Sequence, residues 1–326
     1  MTLNASGPII LAGTTAGQSI EIELGGSGTA QISLNCTTVR TLAGVPSGAI
    51  IMPTNFYGKG NAATFYGGGS SNLVTRINAC GALVGSETNV GTARGWFAGA
   101  TVGSNGLFYG GCASGVSNLV TRINACGALV GSQTNVGSAR EGLAGAKVGA
   151  NGLFYGGLTP GLTNVVTRIN ACGALVGSQT SVGGTRYGLA GATVGANGLF
   201  YGWCSNAVTR INACGALVGS QTSVGTSREN LAGAAVGSNG LFYGGNICTC
   251  GSNLVTRINA CGALVGSETN VGTGRCLLAG AKVGANGLFY GGTLTNLVTR
   301  INACGALVGS QTNVGTARAN LAGAGS

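Results

Sequence analysis

After residue 60 the chain is built almost wholly of short runs of apolar and polar positions, each ended by glycine. Val208-Thr209-Arg210-Ile211-Asn212 alternates with period two, as a strand with one buried face does. Before it comes Leu189-Ala190-Gly191-Ala192-Thr193-Val194, dominated by small residues. The turn Gly195-Ala196-Asn197-Gly198 then leads into Leu199-Phe200-Tyr201-Gly202. After it, Ala213-Cys214-Gly215 turns the chain into Ala216-Leu217-Val218, a fourth predicted strand running towards Val224.

This unit recurs. Val-Thr-Arg-Ile-Asn-Ala-Cys-Gly occurs six times, with its arginine at Arg76, Arg122, Arg168, Arg210, Arg257 and Arg300, at intervals of 42 to 47 residues. Gly-Leu-Phe-Tyr-Gly ends at Gly110, Gly156, Gly202, Gly244 and Gly291, with a degenerate copy at Thr64-Phe65-Tyr66-Gly67. A third string, Arg-x-x-Leu-Ala-Gly-Ala, begins at Arg140, Arg186, Arg228, Arg275 and Arg318; after Arg94 it carries Phe97 in place of leucine. Four strands in about 40–50 residues match a propeller blade, whereas a β-helix coil is shorter and needs fewer reversals. The last copy stops one strand into a new blade, and the first lacks that strand. The two fragments complete one blade, which predicts a six-bladed ring over 61–326 with no long unpaired edge. The double glycine after an aromatic strand, with arginine opening the next small-residue strand, resembles kelch repeats, a resemblance that implies a β-propeller. Kelch repeats carry Tyr and Trp at set distances after the double glycine. The only tryptophans here, Trp96 and Trp203, lie outside that register, so blade packing must use other residues.

Two turns are nearly constant among the copies: Val-Gly-Ser/Ala-Asn-Gly between the first and second strands, and Asn-Ala-Cys-Gly-Ala between the third and fourth. Variation gathers in the loop between the second and third strands and in the connection between blades. In an up-and-down blade these two emerge on the same side of the disc. That side is the candidate recognition face, because binding residues sit on loops held by a rigid scaffold. Trp96, Tyr187 and Trp203 are its expected aromatic anchors, with Ser114, Glu141, Thr159, Glu229, Asn246 and Thr249 as polar members. Loops that nothing constrains would vary in the same way.

Composition narrows the chemistry. Gly makes up 65 of 326 residues and only 7% are charged, which excludes collagen, coiled coil and charge-rich disorder. His and Asp are absent, so triads and His-ligated metal sites cannot be built. Glu141 and Glu229 are the only carboxylates on the variable face, and no enzyme, metal or cofactor is expected. The formal charge is +10, but twelve of sixteen cations are two arginines per repeat: the six named above plus Arg94, Arg140, Arg186, Arg228, Arg275 and Arg318. Fixed positions predict a structural task, donating to carbonyls of the neighbouring blade, rather than nucleic-acid binding. The repeated cysteines Cys80, Cys126, Cys172, Cys214, Cys261 and Cys304 are expected as small buried residues. The others, mostly on the variable face, are expected as free thiols, with a disulfide or soft-metal contact as the alternative. Cys248-Thr249-Cys250 is too short and solitary for zinc. No stretch reads as a signal peptide or a membrane span, so no membrane insertion is expected.

Residues 1–60 share no repeat. Ser19-Ile20-Glu21-Ile22-Glu23-Leu24 and Ala30-Gln31-Ile32-Ser33-Leu34 alternate as strands do. The stretches 29–35, 39–45 (Val39-Arg40-Thr41-Leu42-Ala43-Gly44-Val45), 47–50 and 55–59 (Asn55-Phe56-Tyr57-Gly58-Lys59) resemble a short N-terminal module of tailed-bacteriophage structural proteins. Cys36 stands where that module often has an acid. The resemblance implies a virion location, with 1–60 attaching to other virion proteins and the propeller displayed outward. The leading expectation is a tail-fibre or adhesin-type component binding a host-surface glycan. The alternative is a capsid or tail decoration protein, and a homo-oligomer fits either.

Overall fold

The computed structural model describes residues 62–325 apart from 248–250 and 294, together with Leu3, residues 18–25, Val39, Leu42 and Ala43. The repeats form six four-stranded antiparallel sheets arranged as blades around one axis, an all-β six-bladed propeller. Blade 4 shows the plan, from the axis outward: Leu189–Val194, Asn197–Gly202, Ala207–Ile211 and Thr222–Ser223. In register, Phe200 lies opposite Gly191 on one side and Thr209 on the other. Blade 1 takes its innermost strand, Ala322–Ala324, from the end of the chain. That strand pairs with Ala62–Tyr66 through Thr64↔Ala324, Phe65↔Gly323 and Tyr66↔Ala322. The ring therefore closes as the repeat arithmetic requires.

The innermost strands show why their sequence is so small. A Cβ on Gly191 would fall against the carbonyl oxygen of Gly145, well under 3.0 Å away. The same holds for Gly145 on Gly99, Gly99 on Gly323, Gly323 on Gly280, Gly280 on Gly233 and Gly233 on Gly191. Six backbones thus meet around the axis, and only glycine lets them approach. Outside this ring, an aromatic pair joins every two blades. Tyr66–Phe108, Tyr109–Phe154, Tyr155–Phe200, Tyr201–Phe242, Tyr243–Phe289 and Tyr290–Phe65 have ring centroids 5.1–5.3 Å apart, and all of these rings are fully buried. Tilted pairs of this kind contribute about 0.5–1.5 kcal/mol each beyond burial. They do the blade packing that the displaced tryptophans cannot.

The two arginine sets have different surroundings. Arg94, Arg140, Arg186, Arg228, Arg275 and Arg318 are buried in the seams. Arg140 donates to the carbonyls of Gly156 (2.7 Å) and Val165 (2.6 Å) and to the Thr167 hydroxyl in blade 3. Its guanidinium lies 5.7 Å from the ring centre of Tyr109 in blade 2. A glutamine or glutamate completes each seam that has one in contact: Gln179 donates to Thr167 (2.5 Å) and pairs with Ser138 of the preceding connection (2.8 Å). Glu268 and Glu87 hold the same place, with ion pairs to Arg228 (3.8 Å) and Arg318 (3.7 Å). The second set, on the third strands, is half-buried. Arg76 lies against Gly85 of its own blade and Gly127 of the next, and donates to Ala125 (3.3 Å).

Three local expectations are corrected. The fourth strand, expected to run from Ala216 towards Val224, is confined to the two residues Thr222–Ser223. After the Ile211↔Leu217 bridge the chain leaves the sheet through Gly219, against which the Arg210 guanidinium packs, and rejoins at Val208↔Thr222. Ser19–Leu24 is not a strand. Ile20–Glu23 is a helical turn capped by Ser19, whose hydroxyl accepts from the Ile22 amide (3.3 Å), with Glu21 and Glu23 suited to its N-terminal dipole. The repeated cysteines are exposed free thiols, not buried residues. Each stands at a turn tip. Asn78 Oδ1, for example, accepts from the Cys80 and Ala82 amides (3.0 Å each), which fixes the turn and leaves the thiol outward. Gly25, just after the helical turn, offers its carbonyl to the Cys80 thiol at 3.1 Å, so this segment touches the constant-turn side of blade 1. Ala30–Leu34 and most of the stretches that carry the phage resemblance lie outside the described residues.

Candidate functional site

The variable connections and variable loops share one side of the disc, tied by backbone hydrogen bonds within blades 2, 3, 5 and 6. Cys112 N–H donates to Gly95 (2.8 Å), Leu158 to Glu141 (2.8 Å) and Asn246 to Glu229 (2.8 Å). At the centre of this side, the residue two places after each seam arginine joins a closed ring. Trp96 N–H donates to the Asn320 carbonyl, Asn320 to Leu277, Leu277 to Asn230, Asn230 to Gly188, Gly188 to Gly142 and Gly142 to Trp96, with lengths of 2.7–3.0 Å. All six members have φ between 55° and 62°. Gly142, Gly188, Asn230 and Asn320 are the residue types that tolerate this left-handed region; Trp96 and Leu277 are not. The ring rims a narrow cavity of about 80 Å³ whose walls include Phe97, Leu143 and Leu189. At the opposite end the axis opens into a funnel of about 370 Å³, lined by small residues with Lys147 and Lys282.

Three aromatic side chains lie together beside the closed ring. Trp96 stacks on Tyr187, centroids 5.7 Å apart and planes 28° apart, and Tyr187 meets Trp203 edge-on at 5.6 Å. Tyr187 lies over Gly142, where any Cβ would strike its ring. All three rings are half-buried. Trp203 (φ 72°) and Cys204 (φ 41°) repeat the left-handed strain seen at Trp96, so the backbone is held out of its ordinary range three times within one cluster.

Two carboxylates flank the aromatics. Glu141 precedes Gly142, and Glu229 Oε2 accepts from the Cys204 thiol (3.4 Å). Burial, then Glu141, Glu229 and the Cys112 thiol, push the Tyr187 hydroxyl up to about 12, so it stays neutral across the physiological range. Slight burial and the facing carboxylate raise both thiols, Cys112 by Glu141 and Cys204 by Glu229, which keeps them protonated and weakly nucleophilic. Asn230 Oδ1 is buried at the mouth with no hydrogen-bond partner among the described residues.

Of the sequence-predicted face, Trp96, Tyr187, Trp203, Glu141 and Glu229 are thus brought together. Asn246 enters only through its backbone bridge to Glu229. Ser114 is exposed on the blade 2 loop, and Thr159 lies in a small hairpin with Gly161–Leu162; no hydrogen bond or ring contact joins either to the aromatics. Thr249 lies outside the described residues. Sequence reasoning counted Cys112 and Cys204 among the variable-face free thiols, and both are free; it missed the place of Asn230 in the ring. The ring had a readable trace: Gly or Asn at the second place after arginine in four copies of six. Among the described residues no cluster of three or more Cys or Glu could hold a metal ion, and no helix is long and apolar enough to cross a membrane. Cys276 is disulfide-bonded, against the expectation of a free thiol, and its Sγ accepts from Thr293 Oγ1 at 3.1 Å. No protein-family model matches the chain, and a search of curated proteins finds no relative.

Proposed function

We infer that this propeller is the display domain of a virion structural protein of adhesin type, kelch-like in its repeats, which recognises a host-surface glycan through the variable face. The observation that carries the recognition role is the half-buried Trp96–Tyr187–Trp203 cluster, held on strained backbone beside the axis. Strain of about 1–3 kcal/mol per residue persists only where the surroundings impose it, and it concentrates at binding sites. Aromatic faces stack on the C–H faces of sugars, and carboxylates accept their hydroxyls, so the side chains suit that ligand. The virion location rests on the resemblance in residues 29–59, which assigns residues 1–60 to attachment. The contact of Gly25 with the constant-turn side is consistent with it, because it leaves the variable face clear. The role is binding, not catalysis.

The test is adsorption of the purified chain to host cells and to an array of surface polysaccharides. The Tyr187→Ala, Trp203→Ala double variant is expected to lose binding while keeping its fold by circular dichroism. Unchanged binding by the folded variant would refute the site. The second reading, a decoration protein, has its own support. Six identical exposed turns present Leu83, Leu129, Leu175, Leu217, Leu264 and Leu307 as a repeated apolar surface suited to a shell. Copy number in purified particles separates the two: a handful for a fibre, hundreds for decoration.

A further inference from the structure

The aromatic cluster carries features that recognition of a neutral sugar does not require. The chain has a formal charge of +10 and only six carboxylates. Glu87 and Glu268 are spent on seam arginines, and Glu21 and Glu23 lie in the N-terminal helical turn. The remaining two, Glu141 and Glu229, both stand at the aromatic cluster, and among the described residues neither is in an ion pair. Their neighbours there are the thiols of Cys112 and Cys204, which bring no positive charge. Asn230 Oδ1 adds a buried acceptor without a donor among the described residues. Uncompensated negative charge beside electron-rich ring faces attracts an organic cation, through the ring quadrupoles and the carboxylates together. A hard metal ion would need more oxygen ligands than the two carboxylates and one amide supply.

We propose that Trp96, Tyr187 and Trp203, with Glu141, Glu229 and Asn230, form a binding site for an alkylammonium group. The cation sits against the ring faces, the two carboxylates supply its counter-charge and Asn230 Oδ1 accepts from any N–H it carries. This rests on the variable face being the recognition face and names the ligand class it selects: amine-bearing sugars in preference to their neutral N-acetylated forms. Trp96 and Trp203 are the chain's only tryptophans, so tryptophan fluorescence, excited selectively over tyrosine, reports on this site alone.

The experiment titrates the full chain at constant ionic strength with tetramethylammonium, with tert-butanol as a neutral probe of similar size, and with glucosamine oligomers in amine and N-acetylated forms. Tetramethylammonium is expected to give a saturable change that tert-butanol does not. The isosteric Glu141→Gln, Glu229→Gln variant is expected to bind it about tenfold or more weakly. No saturable response, an equal response to tert-butanol, or undiminished binding by the variant overturns the proposal. If both oligomers bind alike while tetramethylammonium is silent, the ammonium site falls and glycan recognition stands. If tetramethylammonium binds and neither oligomer does, the ammonium site stands but its assignment to amine-bearing sugars is overturned.

Discussion

Truncating one seam arginine tests the account of what holds the blades together. Arg140 is fully buried and donates to two carbonyls and a hydroxyl of blade 3 while lying over Tyr109 of blade 2. In Arg140→Ala those acceptors lose a charged donor, at about 1.5–3 kcal/mol for each such bond, and a desolvated cation–π contact worth up to about 2 kcal/mol disappears. Against this stands the relief of an unfavourable burial, which already pulls the Arg140 pKa below its ordinary range. Loss of one partner from a buried charged network comes to about 3–5 kcal/mol, and that is the expected cost. Arg140→Lys should recover little, because a point charge cannot serve three divergent acceptors. Arg122→Ala removes a half-buried third-strand arginine, which packs on Gly131 and Gly173, and should cost at most about 1–1.5 kcal/mol. Urea unfolding with linear extrapolation measures all three. Arg140→Met, which keeps the apolar stem, serves if the alanine variant does not accumulate. A loss under about 1 kcal/mol for Arg140→Ala, or equal losses at Arg140 and Arg122, would refute the reasoning.

Gly191→Ala puts a methyl into the Gly145 carbonyl within a closed ring that cannot relax outward, and should cost about 2–3 kcal/mol or more by urea midpoint. Gly184→Ala, where a Cβ would meet only Gln221 Oε1 at an ordinary 3.9 Å and φ is not left-handed, should stay within about 0.5 kcal/mol and serves as its control. Burial pushes the Glu87 and Glu268 carboxyls up, but threonine hydrogen bonds and the seam arginines outweigh it and leave both below the ordinary value of 4.5. Their contribution is therefore present above about pH 4.5 and is lost as pH falls through their folded-state values. The Glu87→Gln, Glu268→Gln variant should show a smaller drop in urea midpoint between about pH 6 and pH 3, and little change at pH 7, since glutamine fills that place in the other four copies. Deleting residues 321–326 leaves the Ala62–Tyr66 edge unpaired, and size-exclusion chromatography should show association in place of the full-length species.

Much of this architecture was readable because the repeat compares the chain with itself. Blade number, closure by Ala322–Ala324 and the division of constant from variable turns all follow from which strings recur and where the copies break. What stayed hidden depends on contacts across the ring. Nothing in Gly-Leu-Phe-Tyr-Gly says that its tyrosine meets the phenylalanine of the next blade. The glycine of Leu-Ala-Gly-Ala reads as a weak strand residue until six of them face one axis. The cysteines misled because a residue type that is usually buried was weighed above its place at a turn tip. Ile20–Glu23 misled because four residues alternate convincingly while still fitting one capped helical turn.

The confinement of diversity to one side has a mechanical cause, and that cause sharpens the functional argument. Turns on the constant side bind the preceding blade: the Gly262 carbonyl accepts from Thr222 Oγ1 of the fourth strand before it (2.8 Å), and Gly81 accepting from Thr312 (3.0 Å) closes the circle. A change there must fit two blades at once. On the other side the double glycine and the last loop residue hold the next connection, as Gly157 N–H does with Arg186 (2.7 Å) and the Ser117 carbonyl with Arg140 N–H (3.0 Å), while the variable residues Cys112, Leu158 and Asn246 between them bond to their own blade's connection. Those loops are free to drift, so variation by itself is no sign of selection for binding. Drift does not account for the strain. At a place where Gly and Asn serve four blades, tryptophan at Trp96 costs about 1–2 kcal/mol in the left-handed region. Its ring then stacks on Tyr187, which in turn packs on the bare Cα of Gly142. An unfavourable backbone, a neighbour reduced to glycine and two carboxylates without an ion pair among the described residues meet at one place on the disc. That convergence, more than the variability of the loops, is what supports the proposed binding site.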